Sequence, residues 1–98
     1  MTFRTRRPLP KDWRRRLPEP SLYYAERLSD LGNAGRKGWA SGKCPFHDDA
    51  SASLSVQLVA KHGGWKCFAG CGSGDLIAFH MRLTGKTFSD ALRDLIKR

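Results

Sequence analysis

The 98-residue chain reads as one small α+β domain. Three observations predict it. The apolar period is helical from about residue 21, alternates around residue 54, and turns helical again after Asp75. Glycine-rich stretches punctuate these segments. Three cysteines, Cys44, Cys67 and Cys71, fall in tight turns at the ends of strand candidates, where there is no core for them to fill.

The elements follow in order. Residues 1–20 form an arm with seven cations (Arg4, Arg6, Arg7, Lys11, Arg14, Arg15 and Arg16) against Asp12 and Glu19. Pro8, Pro10, Pro18 and Pro20 disfavour helix there, which predicts an extended, mobile or loosely docked segment. Its roles are a phosphate-binding arm or a solvated tail. Residues 21–98 form the domain. Ser21 to Leu31 predicts a helix capped by Ser21, with Leu22, Ala25, Leu28 and Leu31 on its apolar face and Gly32 closing it. Residues 32–38 read as loop. Strand candidates follow at Trp39–Lys43, Ser51–Val59 and Gly64–Phe68, with Lys61-His62-Gly63-Gly64 as the turn between the last two. In the middle strand Leu54, Val56 and Leu58 point one way, and Ser53, Ser55 and Gln57 the other. Asp75 caps a short helix carrying Leu76, Ile77, Phe79 and Leu83, which Gly85 ends. Thr87-Phe88-Ser89-Asp90 has the capping-box spacing, and Phe88, Ala91, Leu92, Leu95 and Ile96 make the stripe of a last helix.

Composition narrows the function. Eighteen Lys and Arg against nine Asp and Glu give a net charge of +9, which points to a polyanionic partner, most commonly nucleic acid. No run of 18 apolar residues offers a membrane span, and the N-terminus lacks the apolar middle of a signal peptide. The expected location is the cytoplasm, where thiols stay reduced. A chain this short buries roughly 60–65% of its unfolded surface, so its core needs support.

The cysteines supply that support. Cys44-Pro45-Phe46-His47 sets a thiol and an imidazole two residues apart, and Cys67-Phe68-Ala69-Gly70-Cys71 sets two thiols three apart. A hairpin that joins the two turns makes one tetrahedral site for a structural zinc ion, with no open position for substrate. An odd cysteine count excludes complete disulfide pairing. Cys-x-x-Cys redox and Cys-x-x-Cys-His haem motifs are absent. A two-Cys, two-His finger would have a different ligand order, and a catalytic thiol would need a base and an orienting group. Three histidines compete for the fourth position: His47 by spacing, His62 in the glycine turn and His80 in the helix after Asp75. Asp48 and Asp49 are less suited to a sulfur-rich site.

CPFHDDASASLSV and WKCFAGCGSGDLIAFHM resemble the CHC2-type zinc-binding domain of bacterial, phage and plasmid DnaG-type DNA primases. The resemblance covers residues 21–97, including the closing helix TFSDALRDLIKR. It implies a zinc ribbon, a short antiparallel sheet with flanking helices, whose ligands are Cys44, His47, Cys67 and Cys71. The second knuckle is one residue longer than in chromosomal primases and looks like the plasmid and phage branch. The family's Pro-Ser-Phe appears here as Ala52-Ser53-Leu54. The module in that family contacts single-stranded template DNA, while polymerisation belongs to a separate domain with acidic metal-binding residues. This chain has no Asp-x-Asp, so it is expected to be non-catalytic alone and to work with a primase catalytic domain or replication protein.

The period of two also predicts a binding surface. Trp39, Ser41 and Lys43 share one strand face, and Lys66 and Phe68 share another. If the faces coincide, aromatic platforms for bases lie beside cations for phosphates, with Lys61, His62, Arg36 and Lys37 extending or flanking them. Trp65, opposite Lys66, is expected in the core, and Phe46 is expected to pack the knuckle. Arg93, Lys97 and Arg98 read as a solvated face. The competing function is a zinc-ribbon adaptor for a replication protein. A duplex-binding transcription factor lacks its recognition helix.

Overall fold

A computed structural model of the chain describes residues 9–47 and 52–96. Asp48, Asp49, the start of the expected second strand, Arg4, Arg6, Arg7, Lys97 and Arg98 lie outside the described residues.

Four antiparallel strands form a meander in the order β1 (Trp39–Gly42), β2 (Leu54–Gln57), β3 (Trp65–Cys67) and β4 (Gly72–Gly74). The first three lie within the expected segments. The fourth was expected as turn, and its Gly-Ser-Gly sequence carries no strand signal. Its pairing comes from the neighbour: Trp65 aligns with Gly74, Lys66 with Ser73 and Cys67 with Gly72. Gly74 also admits the next helix, because a Cβ there would lie 2.8 Å from the Ala78 Cβ.

Three helices flank the sheet: α1 (Pro20–Arg27), α2 (Leu76–Thr84) and α3 (Phe88–Ile96). Helix α1 departs from expectation at both ends. Glu19 is its N-cap residue, with Pro20 in the first turn, so Ser21 lies inside the helix. Leu28 already turns extended, four residues before Gly32, whose N–H instead donates to the Ser41 carbonyl. The buried face differs too: Tyr23, Tyr24 and Leu28 face the core, and Leu22 is 65% exposed. Both tyrosine rings are fully buried, and each hydroxyl finds a polar partner. Tyr24 Oη donates to the Gly63 carbonyl, and Tyr23 Oη bonds His80 Nδ1 at 2.8 Å.

The C-terminal helices follow their caps. Asp75 accepts the Ala78 N–H at 2.8 Å, and Gly85 ends α2 in the left-handed region. Thr87 Oγ1 accepts the Asp90 N–H at 3.3 Å. Ala91, Leu92 and Leu95 are buried, whereas Phe88 and Leu83 are partly exposed. Phe88 meets Trp13 edge-on, with ring centroids 6.0 Å apart. Trp13 belongs to a 3₁₀ turn, Trp13–Arg16, in the described part of the N-terminal segment, and Leu9, Trp13 and Leu17 pack against the core.

The core lies between one face of the sheet and the helices. Its hub is Phe79, whose ring centroid is 5.0 Å from those of Tyr24 and Phe46 and 5.5 Å from Trp65. Among the described residues, no helix is long and apolar enough to cross a membrane.

Candidate metal centre and the open face of the sheet

The register brings the two cysteine turns to one end of the sheet. Gly42 aligns with Leu54, Leu54 with Cys67, and Cys67 with Gly72. Cys44 therefore leaves β1 beside the end of β3, and Cys71 enters β4 next to it. His47 returns over the same end through the turn at Pro45 and Phe46. The candidate ligand atoms of Cys44, His47, Cys67 and Cys71 all lie within 4.8 Å of one another. A tetrahedral zinc with thiolates at about 2.3 Å needs edges of about 3.8 Å, so small side-chain movements close the set. His47 presents Nε2, 3.5 Å from Cys67 Sγ and 3.4 Å from Ser53 Oγ. Phe46 anchors this turn in the core, as expected, against Phe79 and Trp65.

The electrostatics also suit a cation. Burial pushes the Cys44 thiol up to about 12 and raises Cys71 as well. Burial opposes ionisation of Cys67 too, but backbone N–H groups of Cys71 and Ala69 and the His47 ring outweigh it and hold the thiol at about 6. Three crowded thiolates repel one another, and a dication offsets that repulsion.

The two other histidines lie elsewhere. His62 is exposed in the β2–β3 turn, at the opposite end of the sheet. His80 is buried, with Nδ1 on Tyr23 and Nε2 3.2 Å from Asp94, so it has the packing role expected of it. Arg82 escaped the sequence reading. Its guanidinium sits 5.1 Å over the Phe46 ring, and Nη1 lies 2.7 Å from the Cβ position of Gly72. Only the turn that carries Phe46 toward α2 reveals this, because the two residues are far apart in sequence. Ser53 was expected only as an outward-facing strand residue.

The expected coincidence of faces is present. Ala40, Val56 and Trp65 form one cross-strand row, all buried. Ser41, Ser55, Lys66 and Ser73 form the adjacent row, on the opposite face. Among the described residues no helix covers that second row, and Ser41, Lys66 and Ser73 are exposed. Phe68, 70% exposed, lies toward the metal end with Lys66 Nζ 5.1 Å from its ring. Trp39, 41% exposed, lies at the other end of the face. Its ring and that of His62 both approach Gly64: a Cβ there would be 3.6 Å from Trp39 Cη2 and 3.0 Å from His62 Nε2.

The remaining candidates are exposed at the margins. Arg36 and Lys37 precede β1, and the Lys37 carbonyl accepts the Gln57 side-chain N–H at 3.0 Å. Lys61 lies in the turn with His62. Lys43 pairs with Asp30 at 3.5 Å, at the metal end. The open face thus runs from Trp39 and His62, past Lys66, to Phe68 and Lys43. Gln57 departs from the outward pattern: it is buried, and its Oε1 accepts the N–H groups of Val59 and Ala60.

Comparison with known proteins agrees with this geometry. The family model described as CHC2 zinc finger matches residues 26–98. A DNA primase of Myxococcus xanthus is 41% identical over 71 residues, covering 72% of this chain and 11% of that protein. A DNA primase of Helicobacter pylori strain J99 is 48% identical over 70 residues, 70% of this chain and 12% of the relative. One from Deinococcus radiodurans is 37% identical over 72 residues, 74% and 12% respectively. The chain thus spans about a tenth of the length of these curated relatives. With four clustered zinc-type ligands at the end of a four-stranded antiparallel sheet, and a family match over most of its length, the chain belongs to the CHC2 zinc finger family of DNA primase zinc-ribbon domains.

Proposed function

We propose that this domain recognises single-stranded template DNA during primer synthesis and is non-catalytic by itself. One structural zinc ion, held by Cys44, His47, Cys67 and Cys71, fixes the two turns at one end of the sheet, and the sheet offers its open face to the strand. A primase catalytic domain or subunit supplies polymerisation, and the setting is the cytoplasm.

The observation that carries this reading is the row Ser41, Ser55, Lys66 and Ser73, left uncovered between exposed Trp39 and Phe68. Aromatic platforms interleaved with cations and hydroxyls suit unstacked bases and phosphates, with stacking worth roughly 1–3 kcal/mol per base. Lys43 at one end, and Arg36, Lys37, Lys61 and His62 at the other, extend the track for the backbone. No duplex-reading helix is required, because the contact surface is a sheet.

The test is binding of the zinc-loaded chain to single- and double-stranded oligonucleotides across a salt series. Preference for the single strand, lost in Lys43→Ala/Lys66→Ala, is the expected result, with a shallower salt slope in the double variant. Equal binding of both strand types, unaffected by these substitutions, would refute recognition by the sheet. No binding at moderate salt would favour an adaptor that docks on a replication protein.

A further inference from the structure

We propose that the segment preceding α1 completes a pocket for one nucleotide, its base in an apolar recess and its phosphate in a basic recess alongside. This extends the reading of the domain as a nucleic-acid module and rests on it. A cavity of about 300 Å3 opens between the 3₁₀ turn, the β2–β3 turn and the start of α2. That volume is at the lower end of small-ligand sites and has room for a flat ring. Trp13, Leu17 and Ile77 give it apolar walls. Trp13 is positioned by Phe88 at its edge and by the Arg14 guanidinium, 4.3 Å over its ring. His62 and Asp75 add hydrogen-bonding groups to the lining.

A second recess of about 140 Å3 adjoins the first, sharing Arg14, Leu17 and Lys61 and adding Arg15. Glu19 is the one acid among its lining residues. Among the described residues, Arg14, Arg15 and Lys61 form no ion pair. An apolar slot beside three cations that outnumber Glu19 and Asp75 matches a base joined to its phosphate. An apolar peptide anchor would leave the cations unused, and inorganic phosphate would leave the slot unused. His62 lines the cavity and also approaches the Gly64 position beside Trp39, so one side chain borders both the pocket and the open face. Two sources fit this chemistry: a free nucleoside triphosphate, or an unstacked nucleotide of the template strand.

Calorimetric titration of the zinc-loaded full chain with ATP, CTP, adenosine, inorganic tripolyphosphate and a short single-stranded oligodeoxynucleotide separates them. A nucleoside triphosphate that binds more tightly than adenosine and tripolyphosphate, and about tenfold more weakly to Arg14→Gln/Arg15→Gln, assigns the pocket to free nucleotides. Oligonucleotide binding that drops by a similar factor in that variant, with no mononucleotide binding, assigns it to the strand. Leu17→Trp should block either ligand by filling the slot. Arg93→Gln, which removes a charge from α3, should change neither. Arg14→Gln/Arg15→Gln alters exposed groups only, so it keeps the test valid if Leu17→Trp misfolds. Folded charge variants that bind both probes as the wild type does would overturn the pocket, as would tripolyphosphate binding as tightly as ATP. Such a result leaves recognition by the sheet standing, because Lys43→Ala/Lys66→Ala tests that separately.

Discussion

The two faces of the sheet are built from the same strands, yet they differ in what they hold. Ala40, Val56 and Trp65 meet Phe79 and the helices on one side, while Ser41, Ser55 and Lys66 stand one residue away on the other, with no helix over them among the described residues. The covered face carries stability, and the open one is the face proposed for recognition. Only the metal end serves both, because Cys67 ends the covered row of β3 and Phe68 follows it onto the open face. A substitution should therefore change one property with little effect on the other, except at Cys44, His47, Cys67 and Cys71 themselves.

The largest effect is expected at the metal. Cys67→Ser or chelation should remove a binding free energy on the order of 10 kcal/mol, enough to unfold so small a domain. Loss of the folded circular dichroism signal, reversed by zinc in the wild type but not in the variant, is the readout. Next comes the covered face. Trp65→Ala removes the indole packed on Phe79 and Phe46, with its Nε1–H donated to the Asp75 carbonyl at 3.0 Å. A loss of about 3–5 kcal/mol in denaturant unfolding is expected. Substitution of the open face should invert the pattern. Lys66→Ala/Phe68→Ala should cost about tenfold or more in single-strand affinity while stability stays within about 0.5 kcal/mol of wild type.

Two smaller effects sharpen the comparison. Gly64→Ala places a methyl group against His62 and Trp39, so single-strand affinity should fall a few-fold with stability nearly unchanged. The opposite outcome, lost stability with full binding, would place those rings in the core rather than at the surface. Asp94 is held below the ordinary carboxylate range, chiefly by the hydrogen bond from Lys86 and despite its partial burial. A depressed acid stabilises the fold above its unfolded pKa, and that contribution disappears as pH falls through the folded value. The melting-temperature gap between wild type and Asp94→Asn should therefore be widest near neutrality and narrow in acid.

Much of this division was legible in the sequence, because period two and tight turns are local signals. Alternation at Leu54–Gln57 identified the two faces, and the knuckle spacing together with the family resemblance identified the four clustered side chains. Where reading failed, distant contacts decided. Gly72–Gly74 is a strand because β3 offers a free edge, and nothing in the three residues announces it. Helix α1 turned a different face inward because Gly63 and His80, both remote in sequence, hydrogen-bond the tyrosine hydroxyls. Arg82 and the Trp13 pocket were invisible for the same reason: each needs two elements brought together by the fold.

Three tryptophans offer the most direct measurement, since one lies on each surface in question. Trp65 is in the covered row, Trp39 is on the open face, and Trp13 lines the pocket before α1. Their indole N–H signals, followed by NMR while a short single-stranded oligonucleotide is added to the zinc-loaded chain, report the three places at once. Recognition by the open face predicts that the Trp39 signal shifts or broadens at saturating DNA while that of Trp65 stays in place. Movement of Trp65, or of Trp13 with Trp39 unaffected, would contradict it.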